Sequence, residues 1–123
     1  MLPAAHRLRR SVDFERAVRR GARAGRSTVV VHLAEDDAQR DGVPQVGFVV
    51  SKAVGNAVHR NLVKRRLRAA TAPRLSSLPA NGRVVVRALP ASADATYDEL
   101  SRDLERGLER AVVRWNQRRD GST

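Results

Sequence analysis

Lys52, Arg60, Lys64, Arg65 and Arg68 are spaced so that a helix would gather most of them into one cationic row, and no acidic residue lies among them. At about 100° per residue, Arg60, Lys64, Arg68, Asn61 and Arg65 fall within an arc of roughly 140°. Val58, Leu62, Val63, Leu67 and Ala70 take the remaining side, interrupted by His59 and Arg66. Like charges three and four residues apart repel by a few tenths of a kcal/mol per pair, a cost that carboxylates normally relieve. Phosphates would supply the missing anions: guanidinium forks grip them bidentately, and Asn61 can donate and accept in the same row. Gly55-Asn56 ahead of the row leaves backbone amides at the positive helix end, which could hold a further anion or simply form the turn and cap.

The same stretch argues against bond-breaking chemistry by the protein itself. A two-metal nuclease needs clustered carboxylates, and residues 42–93 contain none. A metal-free ribonuclease needs an acid and a base, and His6, His32 and His59 fall in three different elements with no flanking partner pattern. The absence of cysteine removes zinc fingers, disulfide scaffolds and thiolate nucleophiles.

The wider composition agrees. The 123 residues suit one domain with one core, and 41% hydrophobic content is too high for a disordered polycation. The net charge of +11 is unevenly placed: residues 1–41 hold nine basic and six acidic side chains, residues 42–93 nine and none, and residues 94–123 six and seven. Coding bias explains why 22 of the 24 cations are arginine, but not why Asp and Glu are missing from the middle. A polyanion is the partner this implies. The apolar runs are a few residues long, against roughly 20 needed to span a bilayer. No secretory signal is evident, and cysteine-free composition is compatible with the cytoplasm.

Ser11 as N-cap, Asp13 and Glu15 in the first turn, and Phe14, Ala17 and Val18 on one face predict a helix over 12–20, closed by Gly21. Thr28–Leu33, Val46–Ser51 and Arg83–Ala88 predict strands, with an acidic loop after the first. A helix of about fifteen residues from near Asn56, stopped by Pro73, joins the last two strands into a β-α-β unit. Thr96 and Glu99 form a capping box for a final helix, with Tyr97, Leu100, Leu104, Leu108, Ala111, Val112 and Trp115 on its buried face. Glu105, Glu109, Arg106 and Arg110 read as a solvated face of near-neutral balance. The termini, 1–6 and 119–123, are expected to fray.

The central run resembles the signature of the protein subunit of bacterial ribonuclease P. It carries Lys52, the Gly55-Asn56-Ala57-Val58 entry and the Arg60-Asn61-x-x-Lys64-Arg65-x-x-Arg68 row. Asp13-Phe14 with Gly21, Val46-Gly47-Phe48, Ser51-Lys52, Pro90-Ala91 and Thr96-Tyr97 fit in order, so the resemblance covers most of the chain. It implies one RNA-binding domain over 1–123: an α/β (α+β) two-layer sandwich, with a mixed sheet of three to four strands and a β-α-β crossover carrying the basic helix. By the same resemblance Lys52, Asn56, Arg60, Asn61, Lys64, Arg65 and Arg68 bind the RNA subunit. Phe14, Val18, His32 and Lys52 bind the 5′ leader of precursor tRNA in a cleft between the first helix and the sheet.

Val18 and His32 depart from the pattern, since aromatic residues are common at both places. The implied partners are ribonuclease P RNA and precursor tRNA, with no membrane or DNA, in the cytoplasm. No catalytic or metal-binding residue is implied for the protein: magnesium ions on the RNA and substrate activate the water that leaves a 5′-phosphate. The alternative is a non-catalytic RNA-binding protein, such as a ribosomal protein or RNA chaperone.

Overall fold

In the computed structural model, which describes residues 2–36 and 42–120, the chain runs α1 (Ser11–Arg20), β1 (Ala22–Gly25), β2 (Val29–Glu35), β3 (Gln45–Val49), α2 (Ala57–Thr71), β4 (Gly82–Ala88) and α3 (Tyr97–Asp120). The sheet order is β1-β2-β4-β3. β1 with β2 and β2 with β4 are antiparallel, while β3 and β4 are parallel and joined through α2. This is the α+β sandwich expected, with the basic helix as crossover.

Strand alternation assigns the two faces. Val29, Val31, Leu33, Val46, Val84 and Val86 join Val63 and Leu67 of α2 and Leu100, Leu104 and Leu108 of α3 in the main core. On the opposite face, Val85 packs with Leu8, Ala17 and the half-buried Phe14 under α1. Covering both faces explains why β2 and β4 read as near-continuous valine runs, as central strands do. Gly47 is required here: a Cβ at this position would stand 2.2 Å from Phe14 Cζ, so the ring rests directly on the β3 backbone.

The sheet has four strands, within the three to four expected, and some details of the elements are corrected. β1 is an additional strand without a sequence signal, because Ala22-Arg23-Ala24-Gly25 lacks β-branched residues; Arg26 N–H donates to Val29 O at 2.8 Å and turns it onto β2. Ser11 is the first residue of α1 rather than its cap; Arg10 holds the cap position, and its side chain makes no capping hydrogen bond. Val58 is 75% exposed. The buried stripe of α2 is narrower than hydropathy implies, being centred on Val63, Leu67, Ala70 and Thr71. Tyr97 is likewise exposed, since it opens the first turn of α3.

The amino-terminal segment is seated rather than frayed. Leu2 is buried, His6 Nδ1 lies 2.8 Å from Pro44 O, and Leu8 N–H donates to Val46 O along the outer edge of β3. At the other end α3 continues to Asp120. Part of the expected acidic loop, 37–41, and residues 121–123 lie outside the described residues.

Candidate nucleic-acid interface

The entry to α2 is built by Gly55 and Asn56. Gly55 adopts φ +152°, a conformation that L side chains rarely adopt, and brings the chain sharply into the helix. Asn56 is the N-cap, its side-chain oxygen accepting from His59 N–H at 3.0 Å. Asn56 thus has a structural task as well as its expected role in binding. Lys52 is exposed in a short 3-10 turn (Lys52–Val54) linking β3 to α2, anchored by buried Val54.

Along α2 the row fans out from the core side. Arg60, Lys64 and Arg68 are half-buried along the flank of the buried stripe, and Asn61 and Arg65 are exposed. Among the described residues, no carboxylate lies within 4.0 Å of Lys52, Arg60, Lys64, Arg65 or Arg68; the ion pairs of the fold are elsewhere. Among the described residues Arg60 Nε is enclosed without a hydrogen-bond partner, a state that costs about 1–3 kcal/mol. Arg66, on the other flank, is already used, donating to Ala95 O at 3.3 Å. Arg68 reaches the β3 edge and shares a cavity of about 200 Å³ with Phe14, Phe48, Arg7 and Arg9. The cationic row and the α1 side of the sheet therefore meet at this edge.

The residues expected to contact a leader are only partly brought together. Phe14 lies over Gly47, and Val18 is exposed on α1. Lys52 follows β3 at the far end of that strand. His32 does not contribute a surface: it is 2% exposed, on the α1 face of β2. Neither ring nitrogen has a hydrogen-bond partner among the described residues. Burial, then the nearby Arg87 and Arg23 guanidiniums, lowers its pKa to about 4, so the ring is neutral at pH 7. The same face offers two residues absent from the sequence-based expectation, half-buried Arg87 and the exposed Val49, paired across β4 and β3. Strand alternation is the signal that would find them, since Gln45, Gly47 and Val49 must share a side.

The amino-terminal arginines divide into two groups. Arg10 pairs with Asp13, Arg16 with Asp36 and Arg19 with Glu15, while Arg7 Nε donates to Leu2 O. Arg9, Arg20, Arg23 and Arg26 are exposed, with no carboxylate within 4.0 Å among the described residues. No three His, Asp or Glu side chains are grouped to hold a metal ion among the described residues, and no described helix is long and apolar enough to cross a membrane.

A small α+β sandwich whose crossover helix carries an uncompensated cation row is a polyanion-binding protein. Comparison with known proteins makes the class specific. The sequence profile of the Ribonuclease P family matches residues 2–112, and the chain belongs to that family. The ribonuclease P protein component of Nocardioides sp. is 57% identical over 110 residues, spanning 89% of this chain and 94% of that protein. That of Streptomyces bikiniensis is 54% identical over 118 residues, spanning 91% and 96%. Among solved structures, a Staphylococcus aureus RNase P protein mutant described as defective in mRNA degradation activity superposes with a TM-score of 0.79 at 30% identity, covering 87% of this chain and 88% of that one. The RNase P protein of Thermotoga maritima shares the fold, with a TM-score of 0.72 at 22% identity over 85% and 96% of the two chains.

Proposed function

We propose that this chain is the protein subunit of a cytoplasmic ribonuclease P holoenzyme. It docks the RNA subunit with α2 and holds the 5′ leader of precursor tRNA along the α1 face of the sheet. The observation that carries this reading is the row of cations with no counterion among the described residues. Bringing phosphates to Arg60, Lys64, Arg65 and Arg68 removes their mutual repulsion and releases counterions from the RNA. Asn61, exposed beside them, can read the shape of the backbone or a base edge. Lys52, at the joint between β3 and α2, can serve both the RNA subunit and the leader.

For the leader, Phe14 supplies a stacking face beside Arg7, Arg9 and Arg68, a combination suited to single-stranded RNA. Val18 adds apolar surface, whereas His32 supports α1 from beneath. Among the described residues no three His, Asp or Glu side chains are grouped to hold a metal ion, and Asp13, Asp36, Glu15, Glu35 and Glu105 are each paired with an arginine. In this reading the magnesium ions and the hydrolytic step belong to the RNA, and the protein's part is electrostatic and positional.

The test is reconstitution with a bacterial ribonuclease P RNA and a leader-bearing precursor tRNA at low magnesium. Cleavage at the mature 5′ end should be faster with the protein, and the protein alone should cut nothing. Equal rates with and without it would favour a binding-only role.

A further inference from the structure

The carboxyl-terminal helix carries a second row that its near-neutral sequence conceals. Arg102, Arg106, Arg110, Arg114 and Arg118 recur at every fourth residue of α3, a step of about 6 Å along the helix. Three of the neighbouring carboxylates are already engaged by other groups of the fold. Asp103 accepts from Thr28 N–H at 3.1 Å and Thr28 Oγ–H at 2.7 Å, Glu105 pairs with Arg74 at 2.7 Å, and Glu99 closes the capping box with Thr96. Arg106, Arg110 and Arg114 meet Arg26 in an open groove of about 360 Å³ between α3 and β1, with Gly25 at its floor. Arg114 also donates to Arg23 O on β1. Among the described residues Glu109 is the one acidic residue lining the groove, against four guanidiniums. None of the four has a carboxylate within 4.0 Å among the described residues. β1 and β3 are the two edges of the sheet, so this groove and the α2 row, which reaches the β3 edge through Arg68, face different directions.

We propose that the α3–β1 groove is a second phosphate-backbone site, which takes a segment of ribonuclease P RNA distinct from the one docked on α2. Charge complementarity selects a polyanion, and arginines repeating along a helix suit successive phosphates better than a single bound anion. A large folded RNA can present separate segments to both edges of so small a protein, which would then be clamped rather than tethered on one side. The proposal rests on the reading above, that the chain binds this RNA, and its test separates the two.

The chain contains no cysteine, so a single Gly25→Cys substitution places one tethered iron chelate in the groove, where a Cβ meets nothing within 4 Å. Ala69→Cys, exposed on α2, carries the same chelate to the first surface. In the reconstituted holoenzyme, the groove chelate should cut the RNA subunit at a segment away from that cut by the α2 chelate. The proposal is overturned if the groove chelate leaves the RNA subunit uncut, cuts only precursor tRNA, or cuts the same segment as the α2 chelate. Silence from the α2 chelate alone would instead sink the α2 reading. Independently, Arg106→Gln with Arg110→Gln should lower the slope of log affinity against log salt by roughly 0.7–0.9 for each phosphate no longer neutralised. An unchanged slope in a variant of unchanged thermal stability would also overturn it, and would leave the groove to an acidic protein partner.

Discussion

Phe14 and His32 occupy the same face of the sheet and have opposite fates. The Phe14 ring lies on the backbone of Gly47 with part of its surface open, so it can both pack and stack. Phe14→Ala, in a variant that remains folded, should weaken precursor tRNA binding more than mature tRNA binding; equal loss for both would remove Phe14 from the leader path. His32 is enclosed, with its pKa lowered to about 4. The unfolded chain, with an ordinary histidine, takes up its proton first. Stability from the neutral ring is therefore complete above about pH 6.5 and is lost as pH falls toward 4, by up to about 3 kcal/mol. His32→Leu should flatten that part of the profile, measured by urea unfolding at pH 7 and 4.5. Identical pH dependence in the two proteins would contradict the burial argument. Sequence pattern places His32 in a strand. It does not reveal that α1 covers this position, because coverage depends on a helix twelve or more residues away.

At the scale of elements, α2 combines a cap, a buried stripe and a cationic flank. Asn56 separates two of these tasks. Asn56→Asp keeps a capping oxygen and suits the positive helix end, so its melting temperature should equal or slightly exceed that of the parent. The added negative charge beside the row should nevertheless weaken RNA binding. Asn56→Ala should lose about 1 kcal/mol of stability. A weaker fold in Asn56→Asp, or undiminished RNA affinity, would contradict this division.

The helix itself is legible because charge and apolar residues alternate at helical spacing, and Pro73 follows its end. Val58 departs from expectation because periodicity locates an apolar arc but not its width, and only Val63, Leu67, Ala70 and Thr71 meet the core. β1 is hidden for a related reason. Ala22 and Ala24 are small residues buried beneath α3, and small residues carry little strand signal. The α3 row is masked by its own acids, since counting charge along a helix does not say which carboxylates the protein itself consumes.

For the whole molecule, the excess of positive charge is segregated rather than spread. Much of the acid is spent on internal pairs with Arg10, Arg16, Arg19, Arg74 and Arg119. On the crossover helix Arg60, Lys64, Arg65 and Arg68 have no carboxylate within 4.0 Å among the described residues, and the parallel β3–β4 pair sets that helix across the sheet. Long-range attraction to a polyanion follows from net charge alone, but a fixed row makes a stronger demand, because its phosphates must be released one by one as its members are removed.

The most direct measurement is the salt dependence of binding to ribonuclease P RNA, comparing the parent chain with Arg60→Ala, Lys64→Ala and Arg68→Ala singly and together. The slope of log affinity against log salt should fall by roughly 0.7–0.9 for each residue removed, and by about three times that in the triple variant. A triple variant that stays folded and binds with the parent's slope would show that this row does not hold the RNA.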